Sequence, residues 1–331
     1  MFIIDNYSTA IAFCIITMLC WGSWANTQKL AAGSWRFELY YWDYVLGILL
    51  LSLVFAFTLG SSGSGGRNFT ADISQADSGN IVSAIIGGII FNAANILLVA
   101  AISIAGMAVA FPVGIGLALV IGVMVNYIDN PVGNKLYLFG GVAFIVLAIL
   151  LNANAYRKMQ SENKNPSSKG LMLSIIAGVL MGFFYKYVAA AMFQDFNVPE
   201  AGKLSPYTAV VFFSIGILLS NFLFNSVLMR RPFTGTPVTY SDYFKGGLKN
   251  HITGILGGAI WCLGMSFSII ASGTAGPAIS YGLGQGATVV AAVWGIFIWK
   301  EFRNAPKGTS TVLNIMLLLY LAGLSLIIAA R

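Results

Sequence analysis

Charge is what this sequence has least of. Asp, Glu, Lys and Arg together make up 9% of its 331 residues, against about a quarter in a soluble domain. So few charges cannot cover a water-facing surface, which excludes a soluble enzyme or a nucleic-acid binder. Histidine occurs once, at His251, which argues against a zinc site or a histidine-based proton relay. The three cysteines, Cys14, Cys20 and Cys262, sit inside apolar runs with no CxxC pair. They read as buried thiols, with no disulfide frame and no metal site. There is no glycine-rich phosphate cradle and no nucleophile–base cluster. Neither a cofactor nor enzyme chemistry is therefore expected.

What is present is apolar. Hydrophobic residues account for 58% of the chain, and ten stretches approach the roughly 20 residues needed to cross a bilayer. They are 8–27, 38–59, 80–102, 107–126, 136–155, 170–193, 206–228, 251–271, 277–299 and 312–330. The expected fold is an all-α membrane protein of ten transmembrane helices. The connections after the odd-numbered spans hold thirteen Lys and Arg, and the opposite side holds four. Basic residues concentrate in cytoplasmic loops. Both termini are therefore expected outside, and the 156–169 connection in the cytoplasm. Gly60–Gly66 reads as a flexible linker.

The two halves repeat. Residues 114–122 and 282–290 align at an offset of 168, Gly88 with Gly257 at 169, Gly106 with Gly273 at 167, and Trp21-Gly22 with Met181-Gly182 at 160. Five spans per half is odd, so the halves run in opposite senses. The expectation is an inverted five-plus-five repeat, residues 1–160 and 161–331, with a solute site near the midplane between them. An ordinary bundle packed on small residues is the plainer alternative. Two fused halves can enclose a site as a monomer, which leaves a dimer open.

Pro and Gly in corresponding spans point to a binding site. Pro112, Gly114 and Gly116 open the fourth span, and Pro277, Gly282 and Gly284 the ninth, with Tyr281 and Gln285 among them. A buried Gln needs a partner, and a polar solute can be one. Trp21 and Trp24 share a helical face, with Asn26 beyond them. They suit either an interfacial belt or an aromatic wall for a sugar or planar heterocycle. Asn92 and Asn95 lie three apart near the middle of the third span, facing a cavity or a neighbouring helix. Trp261 occupies the equivalent depth in the eighth. Lys186 is the one charge well inside a span, and either binds solute or replaces a coupling cation, unless it snorkels to the outer interface. Asp43, one turn deeper than Glu38, is the better ligand for a coupling proton or sodium ion. Either acid could instead form a gate with Arg36 or Lys29. Glu301 reads as a surface residue.

The segments Trp21-Gly22-Ser23-Trp24, Tyr41-Trp42-Asp43-Tyr44 and Trp299-Lys300-Glu301 resemble the drug/metabolite transporter superfamily, in its glucose/ribose porter and ureide permease branches. That resemblance implies an inverted repeat around a central cavity. It also implies proton- or sodium-coupled uptake of a small polar solute, such as a sugar or a ureide or nucleobase. Export of drugs or metabolites is the alternative in the same superfamily, weakened by the lack of a carboxylate in the first span. Plant ureide permeases carry a longer central region with a Walker-A-like motif, which the short 156–169 connection lacks. The chain is thus expected to be a compact relative in a bacterial inner (plasma) membrane.

Overall fold

In the computed structural model the chain folds into helices that run antiparallel between two faces. The structure describes residues 1–31, 33, 35–105, 107–159 and 168–331, without the side chains of 107–109, 111 and 159. Gly106 of the repeat and residues 160–167 of the central connection lie outside the described residues. The elements are α1 (Tyr7–Ser23), α2 (Asn26–Leu30), α3 (Phe37–Phe57), α4 (Phe69–Gln75), α5 (Ser78–Ala105), α6 (Met107–Asp129) and α7 (Lys135–Met159). They continue with α8 (Ser168–Ala191), α9 (Pro206–Arg230), α10 (Tyr240–Phe244), α11 (Leu248–Ala275), α12 (Pro277–Gly284), α13 (Ala287–Val293) and α14 (Thr309–Ile328). A π turn, Trp294–Ile298, prolongs α13.

Nine helices among the described residues are long and apolar enough to cross a membrane, the ninth expected span counting once over Pro277–Ile298. The tenth apolar helix is α1, with 17 residues. It stops at Ser23, four residues short of the expected end, because the chain turns at Trp24–Ala25 into α2. The ninth span is not continuous either. It breaks at Gln285–Gly286, between α12 and α13. The fourth runs unbroken over Pro112.

Local chemistry sets several ends. Asn6 caps α1 by accepting from the Thr9 amide at 2.8 Å, and Ser205 caps α9 ahead of Pro206, satisfying donors that a helix start leaves free. Gly276, at φ +84°, makes the tight α11–α12 turn, where a Cβ would be strained. Between α4 and α9, buried Asp72 accepts from Arg67 Nε at 3.0 Å and from the Ser205 amide at 2.7 Å.

Both termini and the 58–77 and 192–205 connections share one side, here the terminal face. The 24–36, 231–247 and 299–308 connections share the other, the basic face. In between, α5 lies against α8 and α9, and α11 lies against α1 and α3. α6 packs on α8, while α12 and α13 pack on α1. α7 pairs with α14, α3 with α9, and α6 with α12. The closest crossings are backbone to backbone. Gly88 of α5 meets the Phe213 carbonyl of α9, and Gly258 of α11 meets the Tyr44 carbonyl of α3. A Cβ at either glycine would overlap that oxygen.

Candidate functional site

The middle of the bundle is aromatic. The indoles of Trp21 (α1) and Trp261 (α11) stack at 5.8 Å with planes 11° apart, and Trp21 Nε1 donates to the Trp261 carbonyl at 3.2 Å. Phe91 (α5) and Phe213 (α9) close on the other side of Trp261, at 4.3 and 5.9 Å. Tyr281 (α12) is fully buried and donates to the carbonyls of Ala118 and Met181 at 3.0 and 3.2 Å. That bond ties α12 across to α6 and α8. Next to it, Tyr185, Ser268 and Ser280 form a hydroxyl chain with 3.0 Å links.

One residue past Phe91 the wall turns polar. Tyr41 (α3) donates to Asn92 Oδ1 at 2.9 Å and accepts from Asn95 Nδ2 at 3.0 Å. Asn92 Nδ2 in turn donates to Ser220 Oγ (α9) at 2.9 Å. All four are buried. This relay is neutral, and each member offers both a donor and an acceptor. On the same helices, α3 and α9, several buried polar atoms have no partner among the described residues. They are the Tyr44 hydroxyl, both amide atoms of Asn221, and Asn225 Oδ1. Trp24 lies over the Tyr44 ring at 4.6 Å. Buried groups left unpaired cost about 1–3 kcal/mol each, so a polar guest that paired with them would bind favourably. Gly116 of α6 is buried, yet a Cβ built on it would meet nothing within 4 Å. That holds among the described residues. Gly114 touches Leu98, Gly282 touches Val123, and Gly284 touches Trp21. Gln285 is buried at the α12–α13 break.

The other sequence-selected residues lie apart from this centre. Asn26 is at the basic face and accepts from Trp299 Nε1 at 2.7 Å. Glu38 pairs with Arg36, which also donates to the carbonyls of Thr234 and Thr236. Asp43 is almost fully buried. It receives Tyr243 Oη at 2.6 Å and lies 2.9 Å from His251 Nδ1. Burial first, and Asp43 second, push the Tyr243 phenol above its usual range, so it stays a donor. Lys186 is at the terminal face, paired with Asp129 at 3.0 Å. The two line an open cavity of about 420 Å³ with Asn126, Gln194, Glu200 and Ser272.

Sequence reasoning missed Tyr44, Asn221, Asp129, His251 and the contacts of Glu301. A lone histidine gives no spacing to read, and Tyr44 looks like part of an interfacial belt. Asp129 did carry a signal: it ends the fourth span on the side where Lys186 approaches the end of the sixth.

A bundle of long apolar helices, with a neutral polar relay buried inside it, defines a multi-pass integral membrane protein. A sequence profile of the ureide permease family matches residues 40–169 and 157–330, and the chain belongs to that family. Ureide permease 1 of Arabidopsis thaliana is 23% identical over 386 aligned positions, covering 100% of this chain and 99% of the relative. Ureide permease 2 of the same plant is 22% identical over 394, with the same coverage. Both alignments run longer than the 331 residues here, so the relatives carry insertions. These relatives are plant proteins and lend no support to a bacterial inner membrane. A crystal structure of a protein 16% identical superposes with a TM-score of 0.62 over 98% of this chain and 99% of that one, a likeness of fold.

Proposed function

We propose that the chain is a secondary permease that takes up a small neutral solute of the ureide class through an inverted five-plus-five bundle. Family membership and the names of the relatives support the solute class. The observation that carries the site is the buried Asn95–Tyr41–Asn92–Ser220 relay, with Tyr44, whose hydroxyl has no partner among the described residues, stacked on Tyr41. A ureide presents several N–H and C=O groups and no charge. Its desolvation is offset only by groups that donate and accept while staying neutral. The stacked Trp21 and Trp261 supply flat apolar walls. Sugar uptake and drug export have no comparable support from the relatives.

The packing supports the repeat, with α1 counted as a tenth span. Each crossing has a counterpart in the other half: α5 on α8 answers α11 on α1, and α3 on α11 answers α9 on α5. Gly88 on Phe213 answers Gly258 on Tyr44, one residue beyond the Gly257 that the sequence offset pairs with Gly88, and Gly47 on Ile255 answers Gly216 on Ile85. In this reading residues 1–160 and 161–331 are the two units, and the basic face is cytoplasmic. Asp43, held by His251 and Tyr243, is the coupling site for a proton or sodium ion.

The test is uptake of radiolabelled allantoin into proteoliposomes holding the purified protein, with an imposed ion gradient. Asn92→Leu should abolish uptake while the protein elutes as the parent does. Parental uptake by a normally folded Asn92→Leu would refute the site. Uptake of labelled glucose by the same proteoliposomes, with none of allantoin, would refute the solute class.

A further inference from the structure

Among the described residues, each face of the bundle carries one lysine–carboxylate pair, close to the ends of helices that the repeat makes counterparts. On the basic face Lys29, at the end of α2, pairs with Glu301 just past the π turn, at 3.4 Å. On the terminal face Lys186 of α8 pairs with Asp129 of α6 at 3.0 Å. Behind the pairs, the same packing recurs. Gly22 of α1 sits on Val290 and the Ala287 carbonyl of α13, and Gly182 of α8 sits on Ile121 and Gly122 of α6. From Gly22 to Gly182, and from Val290 to Gly122, the offsets are those of the sequence repeat. Both ion pairs therefore lie just beyond one repeated helix crossing, at opposite ends of the molecule.

The two ends differ in how they are held. On the basic face the pair is one link of a cluster. Tyr156 donates to Glu301 Oε2 at 2.7 Å, Trp299 Nε1 to Asn26 Oδ1 at 2.7 Å, and Trp294 Nε1 to Ser23 Oγ at 2.8 Å. The Lys29 ammonium also lies 4.4 Å from the Trp299 ring centre. The backbone is bent to make this fit. A π turn runs over Trp294–Ile298, and Lys300 is the one described non-glycine residue at positive φ, +54°. Both conformations are disfavoured, and both tend to occur at functional sites. On the terminal face the Lys186–Asp129 pair stands alone beside the 420 Å³ cavity.

We infer that Lys29–Glu301, with Asn26–Trp299, is the basic-face gate of the permeation path, and Lys186–Asp129 the terminal-face gate. Both ion pairs are formed in the state described, so both gates are closed. The inference rests on the alternating-access reading of the repeat. In that reading, breaking one gate favours the state in which that gate is open.

The test uses thiol labelling, which needs no solute, so its failure is separable from failure of the ureide assignment. Native Cys14, Cys20 and Cys262 are buried, and Ser272→Cys places a reporter in the terminal cavity. Glu301→Gln and, separately, Asn26→Ala should slow labelling of that cysteine about two- to fivefold. Asp129→Asn should speed it by a similar factor, the range expected for losing a half-exposed pair. The exchanged pair Lys29→Glu with Glu301→Lys should restore the parental rate. Equal labelling in all variants, or Glu301→Gln and Asp129→Asn moving it the same way, would overturn the inference.

Discussion

Glycines at the α3–α11 crossing and in the fourth span should respond to the same substitution with opposite signs. Replacing a helical Gly by Ala gains about 1 kcal/mol of helix propensity. At Gly258 the added Cβ would fall on the Tyr44 carbonyl, within a main chain that has no rotamer to change. The two helices must then separate. Overpacking of this kind costs about 1–3 kcal/mol where side chains can adjust, and more where only backbone can move. Gly258→Ala should therefore destabilise by roughly 1–2 kcal/mol net, taking the gain and the cost together. Gly88→Ala should match it, because its Cβ meets the Phe213 carbonyl in the same way. Gly116→Ala meets open space and should be neutral or stabilising by up to about 1 kcal/mol.

The assay is equilibrium unfolding in mixed micelles with rising SDS fraction, followed by fluorescence of the seven tryptophans. Transport separates the two glycine roles further. Gly116→Leu should keep its unfolding midpoint and lose uptake, since it fills space that a solute would use. If Gly258→Ala unfolds within about 0.5 kcal/mol of the parent, the usual spread for surface changes, the close crossing is wrong. A Gly116→Leu protein that transports normally would remove Gly116 from the path.

Three further outcomes follow from the same geometry. Asp43→Asn should lose accumulation against a gradient yet keep solute exchange, because ion binding is removed and the pathway is not; counterflow measured beside gradient-driven uptake checks it. Tyr41→Phe removes the hydroxyl joining Asn92 to Asn95 and should weaken apparent solute affinity about tenfold, roughly one hydrogen bond, with little change in maximal rate, read from uptake against concentration. Ser62→Cys, in the exposed 58–77 connection, should react with a membrane-impermeant maleimide on intact cells if the terminal face is outside, and only after permeabilisation if it is inside.

How much of this was legible in the sequence depends on what a bilayer does to a pattern. Most span positions were readable, because length and hydropathy survive without knowing how a helix is turned. Helix rotation was not readable. In lipid a helix can be apolar on every side, so hydrophobic period no longer marks its buried face. Lys186 shows the consequence. From sequence it is a charge within a span, but rotation and depth turn it to the terminal cavity and Asp129. Glu301 shows the reverse. It is exposed, as the sequence suggests, and what could not be read is that the π turn and Lys300 bring it onto Tyr156 and Lys29.

Asp43 and His251 carry the point furthest. They are more than two hundred residues apart, and a lone histidine offers no motif. What joins them is the α3–α11 crossing, which Gly258 permits by letting the two backbones touch. One turn from that contact, Gly254 lies against the Asp43 side chain, leaving room for His251 Nδ1 to approach within 2.9 Å. Gly254 and Gly258 thus also determine which charged groups can meet. It follows that Gly254→Val should impair gradient-driven accumulation as Asp43→Asn does, by displacing the carboxylate from His251. Normal accumulation in a well-folded Gly254→Val protein would separate the crossing from the coupling site.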